Sequence, residues 1–508
     1  MRRRSEGRDR RHTIDTPSTG LGGARADRGG CEDRGGCRTG RPDGRSDGGG
    51  RTMRLAVLGG GGFRVPLVHR ALLDDAGGPS SSPDGVHHTV HRTELVLYDT
   101  DRTRLDAIGA VLAHQREQHA GPAPEVRTTT DLDEALRGAD FVFSAIRVGG
   151  LAGRVRDERV PLAEGVLGQE TVGAGGVLYG LRTLPVAVRI AERVAALAPD
   201  AWVINFTNPA GMVTEAMGRV FRERGLPDRV IGICDSPVGL CRRAAHALGV
   251  DPERAGFDYV GLNHLGWLRR LVVDGVDRLP ELLADTAALE SFEEGRLFGA
   301  DWLRALGALP NEYLHYYYFN REALASVRSA AATRGEFLLD QQSRFYERAR
   351  PDDPAQAHRE WERVRREREE TYMAESREAS GGWERAGCDL EGGGYDRVAL
   401  ALMRAISRGE RTTLILNVPG RGAVPGLDDD AVVEVPCLVD ATGAHPLATG
   451  PVAADQLGLM LTLKAVERSA IEAARDGSRR AALRALALHP LVDSVPVAER
   501  ILDAAGGF

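Results

Sequence analysis

A chain of 508 residues with 42% hydrophobic side chains is long enough for two domains sharing a sizeable core. A formal charge of −7 excludes general attraction to nucleic acid or to an anionic membrane, which leaves small molecules as the expected partners. Apolar runs fall short of the roughly 18 to 20 residues that span a bilayer, and the opening residues lack a secretory apolar stretch. The six cysteines (Cys31, Cys37, Cys234, Cys241, Cys388 and Cys437) are too scattered for a zinc ribbon or a disulfide framework, so a reducing cytoplasm is expected.

Residues 1–52 are dominated by Arg, Gly and Asp and offer almost nothing to a core, so they are expected to be disordered. Interleaved acids and the lack of aromatics argue against a nucleic-acid-binding arm. Met53 directly precedes the first strand and is a candidate start. From there the pattern reads strand, turn, helix: RLAVL (54–58), GGGG (59–62) and an apolar-periodic segment through Leu73. After a surface insertion at 74–93, ELVLYD (94–99) is predicted as a strand ending in an acid, the order of a mononucleotide-binding half. Further strands are predicted at FVFSAI (141–146), WVINF (202–206) and RVIGIC (229–234), with helices at 102–119, 177–198 and 238–248. This alternation predicts a doubly wound α/β sheet. Beyond His264 the signal is mixed: a charged helical stretch at 354–376, a Gly-rich loop at 379–394, strands at LILNV (414–418) and AVVEVPCLVD (431–440), and helix over the last fifty residues. The expected organisation is a tail over 1–52, a Rossmann-type NAD-binding domain over 53–233, and a mixed α/β domain over 234–508.

Gly59, Gly60, Gly61 and Gly62 let backbone N–H groups approach a pyrophosphate where a helix begins. The third glycine of the usual G-x-G-x-x-G is replaced by Arg64, so the turn taken alone describes an ordinary strand–helix connection equally well. Asp99 supplies context, because a carboxylate at the end of the second strand accepts both ribose hydroxyls and disfavours a 2′-phosphate. NAD is therefore expected rather than NADP. Cys234 follows a predicted strand at the carboxyl edge, where open α/β sheets bind ligands. An isolated Cys or His is more often structural, but a thiolate with a neutral imidazole from His264 is a reasonable start on a divalent transition-metal site.

These residues belong to an ordered series: VLGGGG (57–62), LYDTD (97–101), SAIRVGGLAGRVRDE (144–158), GVLGQETVGAGG (165–176), INFTNPAGMVTE (204–215), ICDSPVGL (233–240), GLNHLGW (261–267), LPNEYLHYYYF (309–319) and VVEVPC (432–437). The series resembles glycoside hydrolase family four, especially its 6-phospho-β-glucosidase branch, over nearly everything from Met53 onward. The resemblance implies a lactate and malate dehydrogenase-like scaffold and a glycosidase that needs NAD and a divalent metal, commonly manganese. Hydrolysis by paired carboxylates is not implied. Instead, NAD⁺ takes hydride from sugar carbon 3, and the ketone acidifies the hydrogen on carbon 2. A base removes that proton, the leaving group departs from carbon 1, water adds, and the hydride returns.

The resemblance further implies Cys234 and His264 as metal ligands, with substrate hydroxyls completing the shell, and Tyr313 as the base. A free phenol titrates at about 10, so Tyr313 would need a nearby cation to act at neutral pH. Arg147 and Arg334 are placed near substrate, where guanidinium suits a 6-phosphate, and Asn208 near sugar hydroxyls. Asn263 serves the turn or supports the metal site. Asp235 stands where the β branch usually has Asn and the phospho-α-glucosidase relatives have Asp; it would protonate the leaving oxygen or orient the metal site. GQETVGAGG and INFTNPAGMVTE resemble the β branch more closely. The expected reaction is therefore hydrolysis of a phosphorylated disaccharide or aryl-glucoside to glucose 6-phosphate by a homodimer or homotetramer. Competing readings are a phospho-α-glucosidase, an NAD-dependent hydroxy-acid or sugar dehydrogenase, and a non-catalytic NAD sensor, the last opposed by Cys234, His264 and Tyr313 together.

Overall fold

The computed structural model describes residues 52–77, 93–385 and 394–506. The tail up to Arg51, residues 78–92 of the predicted insertion and residues 386–393 of the predicted Gly-rich loop lie outside them. Residues Gly50–Phe508 form one compact unit. Among the described residues, no helix is long and apolar enough to cross a membrane.

Six parallel strands carry the first half: β1 (Met53–Leu58), β2 (Thr93–Tyr98), β3 (Glu125–Thr129), β4 (Phe141–Ser144), β5 (Trp202–Asn205) and β6 (Val230–Gly232). Their spatial order is 3-2-1-4-5-6, with the direction of winding reversing between β1 and β4. Alternation explains why RLAVL is apolar throughout. Leu55 and Val57 enter one core and Ala56 and Leu58 another, so the strand is covered on both faces. Phe141 and Phe143 of β4 likewise oppose Val142.

The sheet then continues without a break. Asn417 of β11 (Thr412–Pro419) pairs antiparallel with Gly232 of β6, and β12 (Val432–Asp440) runs antiparallel along β11. Next come β7 (Ala255–Leu262), β8 (Leu265–Val273) and β10 (Leu309–Pro310), with β9 (Val276–Asp277) and β13 (Gly443–Pro446) attached at the sides. The expected 53–233 and 234–508 parts thus share one thirteen-stranded sheet.

Helix 210–223 is tied to this sheet by charge. Glu215, fully buried, accepts from Lys464 Nζ (3.2 Å), Arg468 Nε (3.0 Å), Arg219 (2.6 Å) and the Val432 N–H (3.2 Å). Burial alone would raise its carboxyl, but Lys464, then Arg468 and Arg219, outweigh it and hold it at about 2. An ordinary Glu titrates at about 4.3, so the unfolded chain binds this proton first as pH falls. The stabilisation is present in full above about pH 4.3 and is lost as pH drops toward 2, a contribution of about 3 kcal/mol at neutral pH. Glu215→Gln is expected to lower the melting temperature at pH 7 and to flatten its fall between pH 5 and about 3. A parallel pH profile in variant and parent would contradict this.

Candidate active site

The Gly-rich turn sits where the winding reverses, between the carboxyl ends of β1 and β4. Gly59 takes φ +85°, and a Cβ there would lie 2.6 Å from the Ala145 carbonyl oxygen. A Cβ on Gly60 would lie 2.6 Å from Leu97 Cβ, so the turn hugs β2 closely only because it lacks side chains. The N–H groups of Gly59 and Gly60 donate to the Tyr98 carbonyl (2.9 and 2.7 Å), that of Gly61 to Asp99 Oδ2 (3.0 Å), and that of Gly62 to the Gly59 carbonyl (2.8 Å). These four amides therefore shape the turn. Asp99 Oδ1 also accepts from the Asp101 N–H (3.1 Å), which fixes the carboxylate beside the turn with lone pairs to spare for a diol.

The carbonyls of the same turn are held from far along the chain. Tyr346 Oη donates to Gly61 O (2.7 Å), Trp361 Nε1 to Phe63 O (2.8 Å) and Tyr395 Oη to Arg64 O (2.8 Å). The Arg64 guanidinium lies 5.5 Å from the Phe206 ring centre and 5.3 Å from that of Tyr395. Burial works against its charge, yet Asp235, first among its neighbours, raises its pKa. Asp235 stands at the N-cap of helix 236–247, and its side chain makes no capping hydrogen bond there.

His264 occupies the two-residue turn between β7 and β8, where Leu262 pairs with Leu265. It adopts φ +62°, a left-handed conformation that a non-glycine residue keeps only when its surroundings impose it. Gly261 and Gly266 pair across this hairpin, and a Cβ on Gly261 would fall 2.3 Å from Gly266 Cα, so the close turn needs both glycines of GLNHLGW. The ring of Tyr313 stacks on the imidazole at 3.7 Å between centres and 6° between planes. Nδ1 of His264 is 2.8 Å from Thr171 Oγ1. Burial lowers the imidazole to about 3, so it is neutral at ordinary pH. Asn263 braces the turn: its Oδ1 accepts from the Ala210 N–H (3.2 Å), and its Nδ2 donates to the buried Glu434 (3.3 Å).

Cys234, at the end of β6, is buried and free. Burial, then Glu434 and Asp235, push its thiol well above the usual value, so a cation binding there must displace a tightly held proton. Tyr313, stacked on His264, also feels the charge of Cys234. Burial, then Glu312, raises the phenol well above 10, and its Oη lies 3.1 Å from Tyr372 Oη. Among the described residues, no group of three or more His, Cys, Asp or Glu side chains is set to hold a metal. A thiolate and an imidazole with Nδ1 already engaged still fit a divalent ion whose remaining ligands are water or substrate oxygens. Asn208 Oδ1 accepts from the Ala210 N–H at 3.3 Å, the same N–H that Asn263 Oδ1 accepts from.

The arginines separate into two kinds. Arg147 pairs with Glu170, which also accepts from Arg154 (2.6 Å), while Arg154 Nε donates to Glu158 (2.7 Å). Burial would raise Glu170, but Arg147 and Arg154 hold it well below the usual carboxylate range. Arg334, by contrast, donates to the neutral oxygens Thr371 Oγ1 (2.7 Å) and Arg368 O (2.9 Å). Burial, then the charge of Arg154, lowers its pKa to about 10. Arg368 is lowered further, to about 9, by burial and by the charges of Arg64 and Arg334. The positive charge around Arg334 and Arg368 is thus only partly balanced, as suits an anion site. Sequence reasoning missed Arg368, Glu170, Thr171 and Tyr372; Glu170 and Thr171 stood inside the quoted GQET motif, and Arg368 inside the stretch 354–376, predicted only as a charged helix.

Residues 86–250 match family 4 of the glycosyl hydrolases, and residues 259–492 match the C-terminal domain of that family. A probable 6-phospho-beta-glucosidase of Bacillus subtilis is 34% identical over 84% of this chain and 93% of its own length. A maltose-6′-phosphate glucosidase of Clostridium acetobutylicum is 31% identical over 89% of this chain and 97% of its own. The 6-phospho-beta glucosidase of Thermotoga maritima, solved with manganese, NAD⁺ and glucose-6-phosphate, superposes with a TM-score of 0.71 at 26% identity, covering 89% of this chain and 97% of that one. With both family models matched in order along the chain and relatives of this closeness over nearly its whole length, the chain belongs to glycosyl hydrolase family 4.

Proposed function

We propose that this chain hydrolyses 6-phosphoglucosides, preferring the β anomer, with NAD and a divalent metal, manganese first among candidates. The observation that carries the reading is the stacking of Tyr313 on the buried, neutral His264, with Tyr313 also feeling the charge of Cys234. When bound, NAD supplies reversible hydride acceptance, and the cation supplies Lewis-acid polarisation of a sugar carbonyl. Once a bound cation has lowered its phenol and its own proton has left to solvent, Tyr313 Oη would take the proton from carbon 2, and Asp235, whose charge Arg64 feels, would give one to the leaving oxygen. Arg334, joined by Arg368, binds the 6-phosphate, and Asn208 orients sugar hydroxyls. Asp99 holds the adenosine ribose.

Asp235 favours one second reading, hydrolysis of the α anomer, because an acid at this position can protonate either leaving group. Cytoplasmic location, where phosphorylated sugars and a reduced Cys234 persist, and a homodimeric or homotetrameric state complete the proposal. The test is release of aryl alcohol from phosphorylated and plain aryl-β- and aryl-α-glucosides, with NAD⁺ and Mn²⁺ each added or withheld. Turnover of the phosphorylated β substrate only with both additions, without net NADH, is the expected result. Stoichiometric NADH would identify a dehydrogenase, and a faster α substrate would reverse the anomer.

A further inference from the structure

His264 has one flank fixed by Tyr313 and one ring nitrogen fixed by Thr171, and the hydrogen-bond directions around Thr171 decide which nitrogen carries the proton. A neutral imidazole has a single N–H. If Thr171 donates to Nδ1, the proton sits on Nε2 and neither nitrogen has a free lone pair for a cation. If Thr171 accepts from Nδ1–H, then Nε2 is the ring nitrogen available to a metal.

The choice depends on where the threonine hydrogen goes. Gln169 Oε1 accepts from the N–H groups of Thr171 (2.6 Å) and Val172 (2.8 Å), so the amide can present only its oxygen on that side. Thr171 Oγ1 lies 3.3 Å from the same oxygen. The hydroxyl therefore has an acceptor other than His264, and its lone pair can face Nδ1 at 2.8 Å. The turn is anchored on both sides. Glu170 pairs with Arg147 and Arg154, and a bridge joins Gly168 to Gly173.

We propose that Thr171 is a positioning residue for the metal: with its proton directed to Gln169 Oε1, it accepts from His264 Nδ1 and holds the imidazole in the tautomer whose Nε2 can bind a divalent cation. This rests on the metal-binding reading of Cys234 and His264. Outer hydrogen-bond partners of ligand histidines are commonly worth about 10- to 100-fold in metal affinity. Thr171→Val keeps the shape and removes the acceptor, whereas Thr171→Ser keeps the acceptor.

Free Mn²⁺ is titrated against the full chain with NAD⁺ present and counted by its paramagnetic resonance signal, alongside melting of the metal-free proteins. The expected result is a 10- to 100-fold weaker Mn²⁺ affinity in Thr171→Val and about the parental affinity in Thr171→Ser. Nitrogen-15 shifts of His264 in the unaltered metal-free protein should show the proton on Nδ1, a measurement that needs no variant. Parental Mn²⁺ affinity in Thr171→Val, equal loss in the serine variant, or a proton on Nε2 in the parent overturns the proposal and leaves the metal reading standing. If the unaltered chain binds no Mn²⁺, both fall.

Discussion

Cys234→Ser and His264→Ala are each expected to abolish Mn²⁺-dependent turnover, by about 10³-fold or more, while NAD⁺ still binds. The magnitude follows from the several kcal/mol that a Lewis acid contributes to a developing enediolate, at 1.4 kcal/mol per factor of ten. Cofactor binding should survive because the Gly59–Gly62 turn is built on Tyr98, Asp99 and Ala145 and makes no use of either ligand. Serine cannot replace the thiol, since an alcohol is far less acidic and keeps its proton where a thiol yields it to a bound divalent cation. Mn²⁺ titration, NAD⁺ fluorescence quenching and the aryl-glucoside assay on the same preparations check the three parts separately. Full Mn²⁺ occupancy in either variant removes that residue from the metal site.

The second large effect concerns the substrate's charge. Arg334→Ala and Arg368→Ala should each reduce kcat/KM for the phosphorylated glucoside by about 10- to 150-fold, the equivalent of about 1.5 to 3 kcal/mol for a charge-assisted contact. The plain glucoside should change little, so the loss appears as collapsed discrimination. Arg147→Ala is expected to alter this ratio least, because Glu170 already balances Arg147. Unchanged discrimination in both the Arg334 and Arg368 variants would move the phosphate elsewhere in the cleft.

Much of the first half could be read from pattern alone, because its strands are buried on both faces and its helices are long. RLAVL, ELVLYD, FVFSAI, WVINF and RVIGIC each contain a strand, though FVFSAI is strand only over Phe141–Ser144 and RVIGIC only over Val230–Gly232, and the 102–119 helix ends within a residue of its expected limit. The misses have physical reasons. β3, EVRTT, is a polar edge strand with little apolar signal. The β7–β8 pair went unread because its turn is Asn263–His264 rather than Asn-Gly, a residue choice that burdens the backbone in favour of the site. Helix 210–223 begins inside the quoted NPAGMVTE motif, where composition drew attention to chemistry rather than periodicity. At the site, two residues recognised one by one do meet: the rings of His264 and Tyr313 stack at 3.7 Å between centres. What motif reading could not give were partners set by long-range folding, such as Arg368 beside Arg334 and Thr171 beneath His264.

The aromatic clasp on the Gly-rich turn has a bearing on how the chain is made. The bonds from Tyr346, Trp361 and Tyr395 reach back 285, 298 and 331 residues respectively. At roughly 5 to 20 residues per second, a ribosome needs roughly 15 to 65 seconds to travel from Arg64 to Tyr395. Throughout that interval the nascent strand–turn–helix lacks these three bonds, so the Gly-rich turn reaches its final form only after a segment some three hundred residues further along has been made.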